Sequence, residues 1–401
     1  MWIPRYSRNS PDIDHSGFGE ACPTYPITDT SRFAPFTRTV TKLPDVVFPR
    51  SSVYGPTRDS SGPPPYFLKG CSGKFRYGFT EPIVATTFLP EHAVFVHAPG
   101  HDGLIEESLW HSRLFFCEWF RSDHSTRWQW RVNPEWGCTE TIDGIINFCY
   151  HRMEFSYFHW FFDTLPRVWA LKDQSPYGGE AKWYVGPLSA EFQVSSLALF
   201  GVSPEDCIRP KTSVVKFEQM VCPGFLFTEP LRTRPSFDRG VHHKGWSIDY
   251  ISAIRDRAWH RYGCNESAGD LLLYVSRGDA AHRHLVNEGA VRCVLEPMGF
   301  TVVDPGLLPF EQQVQLFARA RVIVGPHGAG LTNILWSSPG ADLIELLPEG
   351  LADPGYHFLS SLCGHRHHAV LCETFTHAHG VAYADIGVDI ELLTNVLREV
   401  L

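Results

Sequence analysis

The spacing of apolar positions changes character near residue 228. Beyond it, runs with the 3.6-residue period of a helix alternate strictly with short apolar runs. The pattern predicts helix Ser247 to Tyr262, strand Leu271 to Ser276, helix Leu285 to Met298, strand Phe300 to Val303 and helix Pro309 to Arg319. Strand Arg321 to Val324, a brief helix Leu331 to Ser337 stopped by Pro339-Gly340, strand Leu343 to Leu347 and a strand at His368 to Cys372 complete the series. The strand runs are continuous and rich in Val, Ile and Leu, as in strands covered on both faces. Such alternation predicts a doubly wound parallel sheet. The last stretch, Asp389 to Leu401, reads as an amphipathic helix placed to cross back onto the preceding domain.

Upstream, strand patterns at Ala93 to His97, Ile145 to Phe148, Trp183 to Val185 and Phe217 to Cys222, with a helix from Glu191 to Phe200, predict a second α/β domain. Between them lies HRMEFSYFHWFFDTLPRVWALK, where Ser156 is an N-cap candidate. Phe158, Phe161, Phe162, Leu165 and Trp169 trace an apolar helical face that Pro166 interrupts. The first 65 residues are rich in Pro, Ser, Thr and Arg with little periodicity and predict an irregular arm. The chain therefore divides into an arm (1–65), an N-terminal Rossmann-like domain (66–227), a C-terminal Rossmann-like domain (228–387) and a terminal helix (388–401).

Composition narrows the function classes. At 401 residues the chain exceeds one comfortable core, and 43% hydrophobic with 20% charged residues is a globular balance. A net charge of −9 disfavours nonspecific nucleic-acid binding. The 11 cysteines show no C-x-x-C pair, so neither a zinc ribbon nor a redox dithiol is expected. The opening MWIPRYSRNSPDIDHSG lacks an apolar core of signal-peptide length, and no run approaches the roughly 18 apolar residues of a membrane span. The expected location is the cytoplasm, with peripheral contact at a membrane to reach a lipid-linked acceptor. A truncated chain from the secretory-pathway lumen would look the same. There the sequon Asn265-Glu266-Ser267 would matter.

The candidate chemistry centres on the loop after strand Arg321 to Val324. Gly325, Gly328 and Gly330 follow a buried strand and precede a helix, a setting in which backbone N–H groups approach an anionic ligand. The spacing G-x-x-G-x-G is not the dinucleotide fingerprint, and no acidic residue stands about 20 residues beyond, so a nicotinamide cofactor is disfavoured. His327 adds a donor for phosphate. The purely structural alternative is a tight turn with a solvated histidine. Arg277 stands at the carboxyl end of strand Leu271 to Ser276, in the same crevice, and Arg283 and Asn287-Glu288 follow. Two guanidinium groups near this loop are what a diphosphate leaving group requires without a metal. A surface pair of Arg283 with Glu288 is the bland alternative.

His159 and Asp163 stand four apart on one helix face, where a carboxylate makes an imidazole a better base, or where the pair merely fixes the helix. Arg167 lies one turn on. The tail CGHRHHAVLCETFTHAHG holds five histidines and two cysteines. A strand there scatters alternate side chains to opposite faces, so no metal site is assigned to it. Asp12-Ile13-Asp14 has the D-x-D spacing of a metal clamp but lies in the arm, not after a buried strand, and is not read as one.

With these segments in place, the chain resembles glycosyltransferase family 61. These inverting nucleotide-sugar transferases include plant xylosyl- and arabinosyltransferases, animal O-linked N-acetylglucosaminyltransferases and bacterial capsule-type enzymes. The resemblance rests on YVSRGDAAHRHLVNE, GFTVVDPGLLPFEQQVQLFARARVIVGPHGAGLTN, GADLIELLP and, upstream, YFHWFFDTLPRVW. It implies a GT-B-like architecture of two Rossmann-type domains facing a cleft, and transfer of a hexosyl or pentosyl group from a UDP-linked donor to a hydroxyl of a glycan, glycolipid or protein. No cofactor and no obligatory metal are implied. Carried over, Arg277, Arg283, His327, Gly328, Ala329, Gly330, Leu331, Thr332 and Asn333 would hold the donor. Glu345 or Glu349 would reach its ribose, and His159 or Asp163 would be the base; should variants of both turn over normally, the base is to be sought at residues such as Glu154 or His151. The rivals are a catalytically silent nucleotide-sugar- or glycan-binding protein on the same fold and, further off, a metal-dependent hydrolase built on the histidine-rich tail.

Overall fold

The alternation downstream of residue 228 builds one parallel sheet from Leu271–Val275 (β1), Phe300–Val303 (β2), Ala320–Pro326 (β3), Asp342–Pro348 (β4) and Arg366–Thr374 (β5). Their spatial order is β2-β1-β3-β4-β5, all parallel. The chain direction across the sheet thus reverses between β1 and β3. In open α/β sheets ligands bind outside the carboxyl ends of the strands at that switch point. Ser52–Tyr54 adds a further parallel edge on β5, and Ile386–Gly387 pairs with its end antiparallel.

A computed structural model describes residues 140–401 apart from 152, 213, 229–246, 267–268, 279, 281, 352 and 376–380. Before residue 140 it describes 24–28, 38–42, 46–48, 51–55, 71–80, 82–88, 93–98, 101–105 and 129–131. Asp12 to Asp14, His377 and His379 lie outside the described residues. Two compact units emerge, and they do not follow chain order. One comprises Met1–Thr37, Pro82–Gly144 and Pro210–Met220, the other Arg38–Glu81, Ile145–Arg209 and Val221–Leu401.

In the second unit both faces of the parallel sheet are covered. Leu273, Val275, Ile323 and Leu343 point to one face and meet helices Ile248–Tyr262, Phe310–Ala318 and Gly355–Cys363, together with Trp160 to Leu171 of the upstream segment. Tyr274, Val322, Val324, Ile344 and Leu346 point to the other and meet helices Glu288–Leu295 and Ile390–Val400. The alternation of neighbours between faces is the two-residue period of a strand, and apolar runs result because both faces are buried. The terminal helix, expected to cross back onto the N-terminal domain, packs through Leu393, Val396 and Leu397 on the parallel sheet's own face.

Other departures have local causes. The arm read as irregular carries strands Thr24–Thr28, Arg38–Lys42, Val46–Phe48 and Ser52–Tyr54. Runs of three to five residues are too short to show a period, and their pairing comes from distant strands. Within residues 66–227 most described pairs are antiparallel: Ile83–Phe88 with Ala93–Ala98, that strand with His101–Ile105, and Cys71–Thr80 with Pro223–Thr228. The connections 89–92 and 99–100 are too short for a parallel crossover, which needs about a dozen residues. The Rossmann-like alternation expected for this stretch is therefore absent from its meander. Ile146–Phe148 does pair in parallel with Lys182–Tyr184. Helix Gly355–Cys363 escaped detection because it is buried nearly all round and so lacks an amphipathic period.

The histidine-rich strand is absorbed into this fold. His368 Nε2 lies 2.9 Å from Asp342 Oδ1, and His365 Nε2 donates to the Ile334 carbonyl at 3.1 Å. Burial, then the charge of Arg255, depresses His365 from its ordinary 6.5 to about 3. A folded-state value below the unfolded one means that its contribution to stability is complete above about pH 6.5 and is lost as pH falls toward 3. Between pH 6.5 and 5 His365 alone is accordingly expected to remove up to about 1.4 kcal/mol of stability per pH unit, an acid arm that Glu154, its carboxyl raised by burial to about 7, opposes in the same window. That window lies above the ordinary 4.5 at which Glu345, itself depressed, begins to contribute. His365→Gln, which keeps a donor for Ile334, should flatten this arm in a thermal-denaturation series. An unchanged slope would place the acid sensitivity elsewhere.

Candidate functional site

At the switch point β1 is followed by Ser276-Arg277 and β3 runs into the glycine loop. The short element following β3 is a 3-10 helix, Ala329–Trp336, with Gly328 at its N-cap. Gly328 is extended, so its backbone does not require glycine. Its neighbour does. A Cβ at residue 328 would stand 1.8 Å from Arg277 Nη1 and 2.6 Å from Cζ, so the guanidinium lies directly on the glycine's Cα. Arg277 Nη2 also donates to the His282 carbonyl at 3.1 Å, a bond within the loop after β1. Arg283 has a φ of 61°, in the left-handed region that residues with side chains rarely adopt. Its buried Nε has no hydrogen-bond partner among the described residues, and its charge acts on Tyr356.

His327 is nearly buried beside them. Its Nδ1 is 2.5 Å from Glu345 Oε1, while Glu345 Oε2 is 2.8 Å from His367 Nε2, and His367 Nδ1 is 2.8 Å from Ser51 Oγ. Burial alone would raise the Glu345 carboxyl. Hydrogen bonds and charge from His327 and His367 outweigh it and bring the value down to about 2. An ionised carboxylate is acceptor-only, so both histidines donate to it. Ser51, His367 and Glu345 have the connectivity of a nucleophilic triad, but Ser51 is 4% exposed and admits no substrate.

The second half of the site is the segment around residue 160. Tyr157–His159 is helical, Trp160–Thr164 widens into a π-turn, and Leu165–Gln174 resumes the α-helix. The cause is Pro166, which has no N–H and whose ring would clash with a carbonyl of the preceding turn. Leu165 N–H bonds the Trp160 carbonyl, leaving that of Phe161 without a helical donor. Tyr250 Oη donates to it at 2.7 Å. Such π-turns recur at functional sites. This one buries Asp163 completely, while the His159 side chain stays 26% exposed.

Asp163 Oδ2 is 2.7 Å from His159 Nδ1. With the carboxylate accepting, the ring proton sits on Nδ1 and Nε2 carries the lone pair. His151 stacks on His159, ring centroids 5.4 Å apart, and its own Nδ1 accepts from Met153 N–H at 3.2 Å. Ligand atoms of His151, His159 and Asp163 lie within 4.8 Å of one another, close enough to surround an ion. Nδ1 of each histidine is already engaged in a hydrogen bond.

Two bridges join this segment to the glycine loop. Tyr157 Oη donates to Asn333 Oδ1 at 2.9 Å and accepts from Trp336 Nε1 at 3.1 Å. Asn333 Nδ2 in turn reaches Gln313 Oε1 and the Gly330 carbonyl, both at 3.1 Å. The second bridge is a row of rings: His159 to Phe158 at 5.6 Å, Phe158 to Tyr356 at 5.5 Å and Tyr356 to His327 at 5.2 Å between centroids. Tyr356 Oη also donates to the Gly328 carbonyl at 2.5 Å. All of these residues belong to the second unit.

The structure sorts the remaining candidates by environment. Leu331, Thr332 and Asn333 are buried, so the loop offers a ligand its backbone around His327 to Gly330 rather than those side chains. Glu345 is occupied by two histidines, whereas Glu349 is partly exposed just past β4. Arg167 is buried and donates to the Tyr150 carbonyl at 3.1 Å. Asn287 exchanges hydrogen bonds with the Val388 backbone, and Glu288 accepts from Tyr274 and Ser276 rather than pairing with Arg283. Glu154 is buried, which raises its carboxyl from 4.5 to about 7. Tyr157 and Tyr356, the anchors of the two bridges, were not singled out from sequence; each reads there as one more core aromatic.

No match to the chain was found among curated proteins. Residues 157–344, a stretch that begins at the Tyr157 bridge and runs through Arg277, Arg283 and the glycine loop, match the family model described as Glycosyltransferase 61. The resemblance read from the sequence is borne out: the region that carries this site is similar to glycosyltransferase family 61.

Proposed function

We propose that the protein is an inverting, metal-independent glycosyltransferase that moves a sugar from a UDP-linked donor to a hydroxyl of a glycan, glycolipid or protein. What carries this reading is the pairing of an Asp163-oriented His159 with the Arg277–Gly328 loop through one continuous row of aromatic rings. A base and an anion site held by the same core suit in-line displacement. His159 Nε2 takes the acceptor's hydroxyl proton as the acceptor oxygen bonds the anomeric carbon. The bond from that carbon to the diphosphate oxygen breaks, and its electron pair departs with the diphosphate. Asp163 stabilises the resulting imidazolium. Arg277, Arg283 and the loop backbone meet the charge developing on the leaving group, a preorganised arrangement needing no ion. A silent binding protein on the same fold would share the anion site and need no oriented base.

The direct test is nucleoside diphosphate release from a panel of nucleotide sugars, with and without excess EDTA. At least one donor is expected to be consumed, with at most a modest loss of rate under EDTA. Complete loss that manganese or magnesium restores would move His151, His159 and Asp163 into a metal site. Binding of every donor without turnover would favour the silent protein.

A further inference from the structure

The geometry points to Glu345 as a positioning residue that couples diphosphate binding to protonation of His327. The inference rests on the donor site proposed above. Glu345 lies fully buried on β4, and its two oxygens are taken by His327 and His367, so the His327 ring is held with its Nδ1–H turned inward. Nε2 is then the ring's remaining polar edge, with Asp353 Oδ2 3.9 Å away. In the neutral ring that edge is a lone pair and repels phosphate oxygens; protonated, it is a charged donor. Diphosphate binding must therefore draw a proton onto Nε2, and the Glu345 charge behind the ring is what makes that proton favourable.

Every element packed around the ring bears on this. Asp353, on the loop after β4, has Oδ2 3.9 Å from His327 Nε2 and favours the cation. Tyr356, on helix Gly355–Cys363, faces the ring at 5.2 Å and stays neutral, its hydroxyl raised by burial. Arg277, on the adjoining Gly328, and Arg283, near Tyr356, oppose a further positive charge until an anion arrives. Behind Glu345, His367 is flanked by His357 at 5.5 Å and by Ser51, whose hydroxyl can donate to its Nδ1 or to its carbonyl oxygen 3.2 Å away. The carboxylate thus keeps His367 on its far side while its other oxygen serves His327. A role confined to core packing would fix the ring but leave binding indifferent to pH.

Calorimetric titration with UDP and with inorganic pyrophosphate, repeated in buffers of different ionisation enthalpy, counts the protons taken up. The wild-type protein is expected to take up close to one proton per diphosphate at pH 8, with Kd rising toward tenfold per pH unit on the alkaline side, the slope of a single linked proton. Glu345→Gln should lose that uptake and bind about tenfold more weakly while Arg277 and Arg283 still act. His327→Gln, at a less buried position, should remove the pH dependence even if Glu345→Gln does not fold. Tight binding with no proton uptake in the wild type, or uptake that survives in His327→Gln, would overturn the coupling but leave the donor site standing. Failure of both probes to bind the wild type would overturn the donor site and the coupling with it.

Discussion

Replacing His159 with alanine is expected to lower turnover about 10²–10⁴-fold while the affinity for nucleoside diphosphate stays unchanged. The two candidate bases are separated by burial. Asp163 is fully buried in the π-turn, so an acceptor hydroxyl cannot reach it, whereas the His159 side chain is partly exposed. Asp163 then acts through the ring by fixing its tautomer. Asp163→Asn should also slow turnover, because an amide can donate to Nδ1 and leave the proton on the wrong nitrogen. The informative comparison is between the two variants at saturating donor. If Asp163→Asn abolishes transfer while His159→Ala keeps most of it, the carboxylate is the base and the segment must open to expose it. Normal turnover in both would reduce the pair to a helix brace.

Arg277→Ala is expected to weaken nucleoside diphosphate binding by about 1.5–3 kcal/mol, roughly 10–150-fold, the usual range for a hydrogen bond to a charged group. The guanidinium sits on the bare Cα of Gly328 and donates to the His282 carbonyl, both outside the strands, so its removal is expected to leave the sheet intact. Melting should change little. Gly328→Ala tests the same placement without touching the charge: the added methyl occupies the position of Nη1, and the arginine must move. Its binding defect should approach that of Arg277→Ala and should not add to it in the double variant. Wild-type affinity in Arg277→Ala, measured by calorimetry, would put the diphosphate in another crevice.

The parallel sheet was legible because β1 to β5 are covered on both faces and stand out as unbroken apolar runs bounded by turn residues. Ser247 marked its helix start correctly, its side chain accepting from Tyr250 N–H. The contact between His159 and Asp163 was legible from their spacing alone. The π-turn that buries the carboxylate was not, since it depends on Tyr250, remote in sequence, supplying the hydrogen bond that Pro166 cannot. Glu345 shows the same limit. At a strand's end it reads as a ligand group, yet its partners are set by the register of β4 against β5 and by the return of the loop after β3. Before residue 140 the strand Ala93–Ala98 was legible from its pattern, whereas Thr24–Thr28, Arg38–Lys42, Val46–Phe48 and Ser52–Tyr54 were hidden for a different reason: short segments paired across long sequence gaps carry no periodic mark of their partners.

The configuration of the released sugar tests the central claim without knowledge of the acceptor. A nucleotide sugar that the protein consumes can be followed by proton NMR during its slow transfer to water, before the free sugar mutarotates. A single displacement driven by His159 predicts that an α-linked donor first yields the β-anomer, and that His159→Ala suppresses this signal with donor binding intact. First appearance of the α-anomer, or an undiminished rate in His159→Ala, would contradict it.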